Sequence, residues 1–334
     1  MPMTRLVGAG AFVFLFISAS RPATAAAILF ADQMTNAAAW GINATSGDTL
    51  TTFSFDYSIQ GIPEAPNSQP GDAATRGLRL EANVNDPPTL ESLTLYPLGQ
   101  SFTGTYQVRF DAWMNYDTGD IATTEYLGGG VGYDNAASGP TSGAQAVASG
   151  DGGSNADWRA FKDGFFVAEA DMAAGSRNAS DPYYAGFLPP ASPPAIQGQA
   201  GIGLAGSTGF QWITWQFTVI NAPGIGQVLL DIEKPGGEQL RIVDLDCLDV
   251  SDGSAGCTSE GNISLFYGDS FFPSVSGSPA VTFGLIDNVV VTEGVAVPEP
   301  STLALIGAGL AGLAITRRRR VRPATRTGSL RMPR

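Results

Sequence analysis

The sequence predicts an all-β fold, an antiparallel β-sandwich of the jelly-roll kind, on three observations. Apolar and polar residues alternate with period two in one run after another, helical periodicity is almost missing, and the runs are punctuated by turn residues, 42 glycines and 22 prolines in 334 residues. Ten or more strands without helices must bury their apolar sides against one another, which calls for two facing sheets.

In chain order, the first strand is Ile28-Leu29-Phe30-Ala31-Asp32, followed by Thr51 to Ile59, which alternates as Thr-Thr-Phe-Ser-Phe-Asp-Tyr-Ser-Ile. Gly77 to Ala82 and Thr105 to Trp113 repeat the pattern, and further strands are expected at Gly128 to Tyr133 and Phe165 to Glu169. Trp212 to Asn221, Gln227 to Lys234, Gln239 to Leu245, Asn262 to Tyr267 and Thr282 to Thr292 complete the set, with Pro235-Gly236-Gly237-Glu238 as a hairpin turn. Trp212 and Trp215, three apart, should point to opposite faces of their strand. Residues 136–207, rich in Gly, Ala, Ser and Pro, read either as a functional insertion or as an extended linker.

The ends of the chain have a different character. Residues 1–27 start with Arg5, run through the apolar Ala11 to Ile17 and close on Ala25-Ala26-Ala27, the layout of a secretory signal peptide. Its apolar run is too short to span a roughly 30 Å hydrocarbon layer, so cleavage after Ala27 is expected. Residues 28–293 then form the β-sandwich domain. Within residues 294–320, Val297-Pro298-Glu299-Pro300-Ser301-Thr302 leads into an apolar segment, 303–316, and into Arg317-Arg318-Arg319-Arg320. The prolines keep the motif extended for a protease, and the arginines resist translocation.

This order of motif, apolar segment and basic stop resembles the PEP-CTERM sorting signal of bacteria that make exopolysaccharide. The resemblance implies an exosortase-type processing enzyme as partner, insertion in the membrane through the C-terminal segment before processing, and a final location at the cell surface or in the extracellular matrix. A plain C-terminal anchor is the alternative. The apolar segment is short, and residues 321–334 follow the arginines where the family pattern stops; no role is assigned to them.

From Ile28 to Pro298 eight basic residues face 30 acidic ones, a balance of −22. So acidic a body repels phosphate and is not expected to bind nucleic acid. The chain holds no histidine, which excludes Ser-His-Asp and Cys-His catalysis and imidazole-based zinc sites. Carboxylate chemistry is left, as in a polysaccharide hydrolase or lyase, or Lys and Tyr chemistry as in some polysaccharide lyases; Glu81, Glu125, Glu169 and Glu233 are available, but no motif singles out a pair. The expected function is therefore non-catalytic, with no catalytic residues assigned. Cys247 and Cys257, the only cysteines, are expected to form one local disulfide in an oxidising compartment.

Two metal readings follow from the acidic residues. Asp244, Asp246, Asp249 and Asp252 gather four carboxylates near the disulfide, either a calcium site or a solvated acidic hairpin. Asp32 and Asp287 would approach each other if the terminal strands pair. Ile28 to Asp32 and Phe283-Gly284-Leu285-Ile286-Asp287-Asn288-Val289-Val290-Val291 resemble the first and last strands of LamG-like and carbohydrate-binding-module jelly rolls. That resemblance implies a structural calcium at Asp32 and Asp287, and exopolysaccharide as a ligand. Most aromatic residues belong to the core, whereas Trp158, Tyr183 and Tyr184, on expected loops, are the candidates for glycan contact. Arg79-Glu81 and Arg109-Asp111 are expected to be surface pairs.

Overall fold

Period-two alternation becomes a ladder of strands in the computed structural model, which describes residues 26–69, 74–85, 90–119, 124–152, 154–270 and 280–294. In order they are β1 Ile28–Asp32, β2 Trp40–Ala44, β3 Thr49–Asp56, β4 Arg76–Ala82, β5 Glu91–Pro97, β6 Tyr106–Asn115, β7 Thr124–Tyr133 and β8 Ala144–Ser149. There follow β9 Trp158–Lys162, β10 Phe165–Phe166, β11 Ile213–Ala222, β12 Ile225–Glu233, β13 Gln239–Asp246, β14 Asn262–Ser270 and β15 Phe283–Glu293. The regular α-helix among the described residues is a single turn, α1 Pro182–Ala185, capped by the Asp181 side chain.

The strands form two sheets, one ordered β13-β12-β11-β6-β15-β4-β3 with β1 added to β15, the other β10-β9-β8-β7-β14-β5-β2. Every strand pairing is antiparallel. The expected two-sheet sandwich is therefore the observed architecture. Alternation on β6 sends Tyr106, Val108, Phe110 and Ala112 into the main core, where they join Trp215, Phe217 and Leu230 of the same sheet and Leu127, Val131 and Leu265 of the other. Burying each such side chain contributes about 1.5–3 kcal/mol. Gly129 is required by this packing, because a Cβ there would collide with the Ser264 carbonyl oxygen of β14 and lie 3.2 Å from the Phe110 ring of the opposite sheet.

The opposite face of the first sheet carries a second, smaller core. Trp113, Phe283 and Leu285 project outward and are covered by Tyr57, Ile62, Ala65, Phe210 and Trp212. Trp215 lies in the main core and Trp212 in the second, on the two faces that a spacing of three predicts. Trp212 Nε1 donates to the Pro63 carbonyl at 2.7 Å and ties the covering loop down.

Residues 136–207 are not an extended linker. They supply β8 and β9 and bring Trp158, Val167, Met172, Tyr184 and Leu188 into the main core. All six side chains of β8 are buried, so small residues inside both faces replaced the alternation that would have announced a strand. β10 is two residues long where a strand to Glu169 was expected; residues Glu169–Asp171 form a 3-10 turn.

Candidate functional site

β15 changes register where the site begins. The pairing with β6 shifts between Asp287 and Val290, and Asn288 takes the left-handed conformation, φ 52°. Before the shift Gly284 and Ile286 face the sandwich interior with the even-numbered side; after it Val289 and Val291 do. This bulge leaves Asp287 and Asn288 together over the outer face. Asn is among the few side chains that adopt such a backbone readily.

Directly across from Asp287 on β6 stands Asp111, which is fully buried. Its carboxylate accepts four hydrogen bonds: from the Asn67 backbone N–H at 3.0 Å, Asn67 Nδ2 at 2.6 Å, Thr214 Oγ1 at 2.6 Å and Asn288 Nδ2 at 2.9 Å. Asp287 accepts instead from Tyr57 Oη at 3.0 Å and from the Asn288 N–H at 2.8 Å. Burial, reinforced by the Asp287 charge, raises the Tyr57 phenol far above its ordinary value, which keeps it a donor. Arg109, two residues from Asp111 and on the same face, donates from Nη2 to Asn67 Oδ1 at 3.3 Å and lies 3.7 Å from Glu233.

Asn67, Arg109, Thr214 and Asn288 line one groove of about 650 Å³, with Asp32, Gln107, Val289 and Val290 also on its walls. It lies beside the loop that covers the second core and opens onto the polar outer face of the first sheet. Asp32 accepts from the Met34 N–H at 2.6 Å, and burial raises its carboxyl above the usual range. The lining combines carboxamides and hydroxyls with aliphatic patches from Ile28 and Val290. Such a surface can hydrogen-bond hydroxyl groups and pack against C–H faces.

Terminal-strand pairing is as expected: β1 pairs antiparallel with β15, Asp32 opposite Val289. Asp32 lines the groove, however, while Asp287 is held by Tyr57 below the covering loop. The cluster near the disulfide is also divided. Asp244 accepts from Gln227 Nε2 at 2.7 Å, Asp246 from the Leu248 N–H, Asp249 from the Ser251 N–H, and Asp252 pairs with Lys162 Nζ at 2.7 Å. Among the described residues no three His, Cys, Asp or Glu side chains are grouped to hold a metal ion. Each of these carboxylates is engaged with a turn or a neighbouring side chain. Cys247 and Cys257 form the expected disulfide.

The aromatic candidates sit differently from the expectation. Trp158 is 1% exposed, on β9 rather than a loop, and stacks on Tyr184, itself fully buried. Neither can offer a face to a sugar ring. Tyr183 is half-buried and donates to the Arg241 carbonyl at 2.7 Å. The pair Arg79–Glu81 forms at 2.8 Å but is largely buried, and Asp111 bonds to amides and a hydroxyl rather than to Arg109. Glu81, Glu125, Glu169 and Glu233 are all absent from the groove lining. The groove residues Asn67 and Thr214, and Asp111 buried beneath them, were not legible as a site, because they come from a loop and two strands and meet only through the sheet register. The one available signal was the Arg109–Asp111 alternation, a charged pair on a strand that also carries Trp113.

Residues 296–320 match the family model described as the PEP-CTERM protein-sorting motif. These residues, like the signal peptide expected over residues 1–27 save its last two positions, lie outside the described part of the structure. A search of curated protein sequences found no match. Among solved structures, the fold is similar to lectin II from Ulex europaeus, at 10% identity and TM-score 0.36, covering 75% of this chain and all of the lectin. It is also similar to the Emp47p carbohydrate recognition domain, at 10% identity and TM-score 0.36, covering 76% of this chain and 98% of that one. For the VIP36 exoplasmic/lumenal domain in its Ca²⁺-bound form the values are 7% and 0.39, over 77% and 84%. These likenesses concern the sandwich fold and transfer no residue or ligand.

Proposed function

We propose that this chain is an exported, exosortase-sorted protein of the cell surface or extracellular matrix whose β-sandwich binds exopolysaccharide without catalysing a reaction on it. The sorting motif carries the first half, and the groove lined by Asn67, Gln107, Arg109, Thr214 and Asn288 carries the second. In this reading residues 1–27 are removed on export, residues 28–293 are the working domain, segment 303–316 holds the chain in the membrane until processing, and Arg317 to Arg320 keep the tail inside.

Carboxamide and hydroxyl groups arranged on a rigid sheet recognise polyhydroxyl ligands by hydrogen bonds that need no charge and no metal. If calcium enters this reading, its oxygens come from the groove wall at Asp32 and the neighbouring amide carbonyls rather than from Asp244 to Asp252. Calcium titration with unfolding in chelator tests that placement, since D32N should abolish any calcium-dependent rise in Tm and D252N should not.

Affinity electrophoresis of the purified chain against a panel of exopolysaccharides is the direct test of binding. Asn67→Ala combined with Gln107→Ala should weaken retardation at least tenfold, and retardation unchanged by these substitutions would overturn the groove as the glycan site. Deletion of residues 297–334 should change surface retention, and unchanged localisation would overturn the sorting reading.

A further inference from the structure

Asp111 does more than fill hydrogen bonds; it decides which atoms the groove shows to a ligand. A carboxylate oxygen accepts, so every group bound to it must turn a donor inward. Asn67 spends Nδ2 on Asp111 and on Thr214 Oγ1, Asn288 spends Nδ2 on Asp111, and the Thr214 hydroxyl donates to Asp111 as well. Gln107 adds a fourth donor turned away from the groove, Nε2 to Thr218 Oγ1 at 3.2 Å. Asn67 Oδ1 is taken by Arg109 and Thr214 Oγ1 by Asn67 Nδ2, so the acceptors these side chains leave are Asn288 Oδ1 and Gln107 Oε1, to which the wall adds the Asp32 carboxylate. Among the described lining residues the single cation is Arg109, already engaged with Asn67 Oδ1 and flanked by Glu233.

Resting on the glycan-binding reading above, we infer that Asp111 makes the groove an acceptor surface, with Asp111 as a positioning residue, and that the groove selects sugars by their donors, taking an amino sugar with a free ammonium group in preference to its N-acetylated form or to a uronate. An ammonium group offers three donors and a positive charge to Asp32 and the amide oxygens. A uronate carboxylate brings acceptors to acceptors. The domain's charge of −22 acts in the same direction, concentrating cationic polymer and repelling anionic polymer over roughly a Debye length, about 8 Å at physiological salt.

The test uses the purified full chain and three probes of equal length: glucosamine oligomers, N-acetylglucosamine oligomers and galacturonate oligomers, titrated calorimetrically in physiological salt at a pH where the amine is charged. The free-amine oligomer should bind at least tenfold tighter than the acetylated one, and the galacturonate weakest. Asp32→Asn and Asn288→Ala should each remove most of that preference, whereas Asp244→Asn, on the edge strand β13 three strands from Gln107, should leave it intact. Asp111→Asn, which can donate as well as accept, should level the order of the three probes; where that variant does not fold, Asp32→Asn and Asn288→Ala decide. Equal binding of the free-amine and acetylated oligomers, with Asn288→Ala weakening both, overturns donor selection and leaves the glycan groove standing. An amine preference that survives both groove substitutions and disappears with added salt is attraction to the acidic surface only and also overturns it. Binding of none of the three oligomers, with or without the groove substitutions, removes the glycan reading together with the inference.

Discussion

Lys162 shows what a single side chain can commit a fold to. Its side chain is fully buried, with Nζ 2.7 Å from Asp252 and 3.4 Å from the Asp249 carbonyl, inside the loop that the Cys247–Cys257 disulfide closes. The Lys162 ammonium, followed by bonds from Ser254, holds the Asp252 carboxyl far below its ordinary value. A buried ammonium that loses its partner is expensive, about 3–5 kcal/mol. Asp252→Asn should therefore destabilise the chain by roughly that amount in urea unfolding. Lys162→Met, which leaves a rim carboxylate with solvent and with Ser254, should be milder, and the double variant should recover part of the loss. If both single variants differ from wild type by less than about 1 kcal/mol, the pair is behaving as an ordinary surface pair.

At the scale of an element, the bulge in β15 is the feature on which the groove depends. A β-branched residue at the left-handed backbone of Asn288 meets the steric penalty of that region, and Asn288→Val also leaves Asp111 one donor short. Asn288→Gly adopts the backbone freely and loses only the hydrogen bond. Asn288→Val should thus be less stable than Asn288→Gly by about 1–2 kcal/mol, read from the midpoint of denaturant unfolding. Equal midpoints would mean that β15 re-registers without strain. The same strand marks the limit of what the sequence discloses. Thr282 to Thr292 was legible as a strand because β-branched and aromatic residues fill it, and it closes against β1 as its ends suggested. The bulge was not legible, since Asp-Asn within an apolar run reads equally as a strand end or as a bulge. Strands β2, β5, β8 and β9 were missed: β5 and β8 are buried almost throughout, so burial does not alternate along them, whereas β9 does alternate, with Trp158, Ala160 and Lys162 buried, but a lysine on its inward side hides the pattern. Trp158 shows the consequence for function, because an aromatic residue assigned to a loop became a glycan candidate, whereas the strand that carries it buries it.

The whole molecule is acidic, and part of that acidity is enclosed. Glu91, Asp269 and Glu125 are directly opposed on the adjacent strands β5, β14 and β7, and all three are buried. Burial raises the Asp269 carboxyl to about 7, against a weaker lowering effect of Asn83. At the same end of the sandwich burial raises Asp151 to about 7, with the neighbouring Asp157 charge adding to it. Both groups hold a proton in the folded chain at a pH where the unfolded chain has lost it, so folding binds protons and stability falls as pH rises. The contribution is fully present below the ordinary carboxylate value of 3.8 and is lost as pH passes through about 7. Linkage sets the loss at about 2–4 kcal/mol per group, and growing repulsion within a domain of charge −22 acts in the same sense. Tm should therefore decline between pH 5 and pH 8, where many proteins are near their maximum. Asp269→Asn and Asp151→Asn, neutral at every pH, should each flatten the decline, and the two together should flatten it further. High salt separates the two causes: it screens the surface repulsion but leaves the buried carboxyls unscreened, so a decline that persists in salt and vanishes in the double variant assigns it to the enclosed acids. A decline that salt removes and the variants leave unchanged would instead place the pH response on the surface.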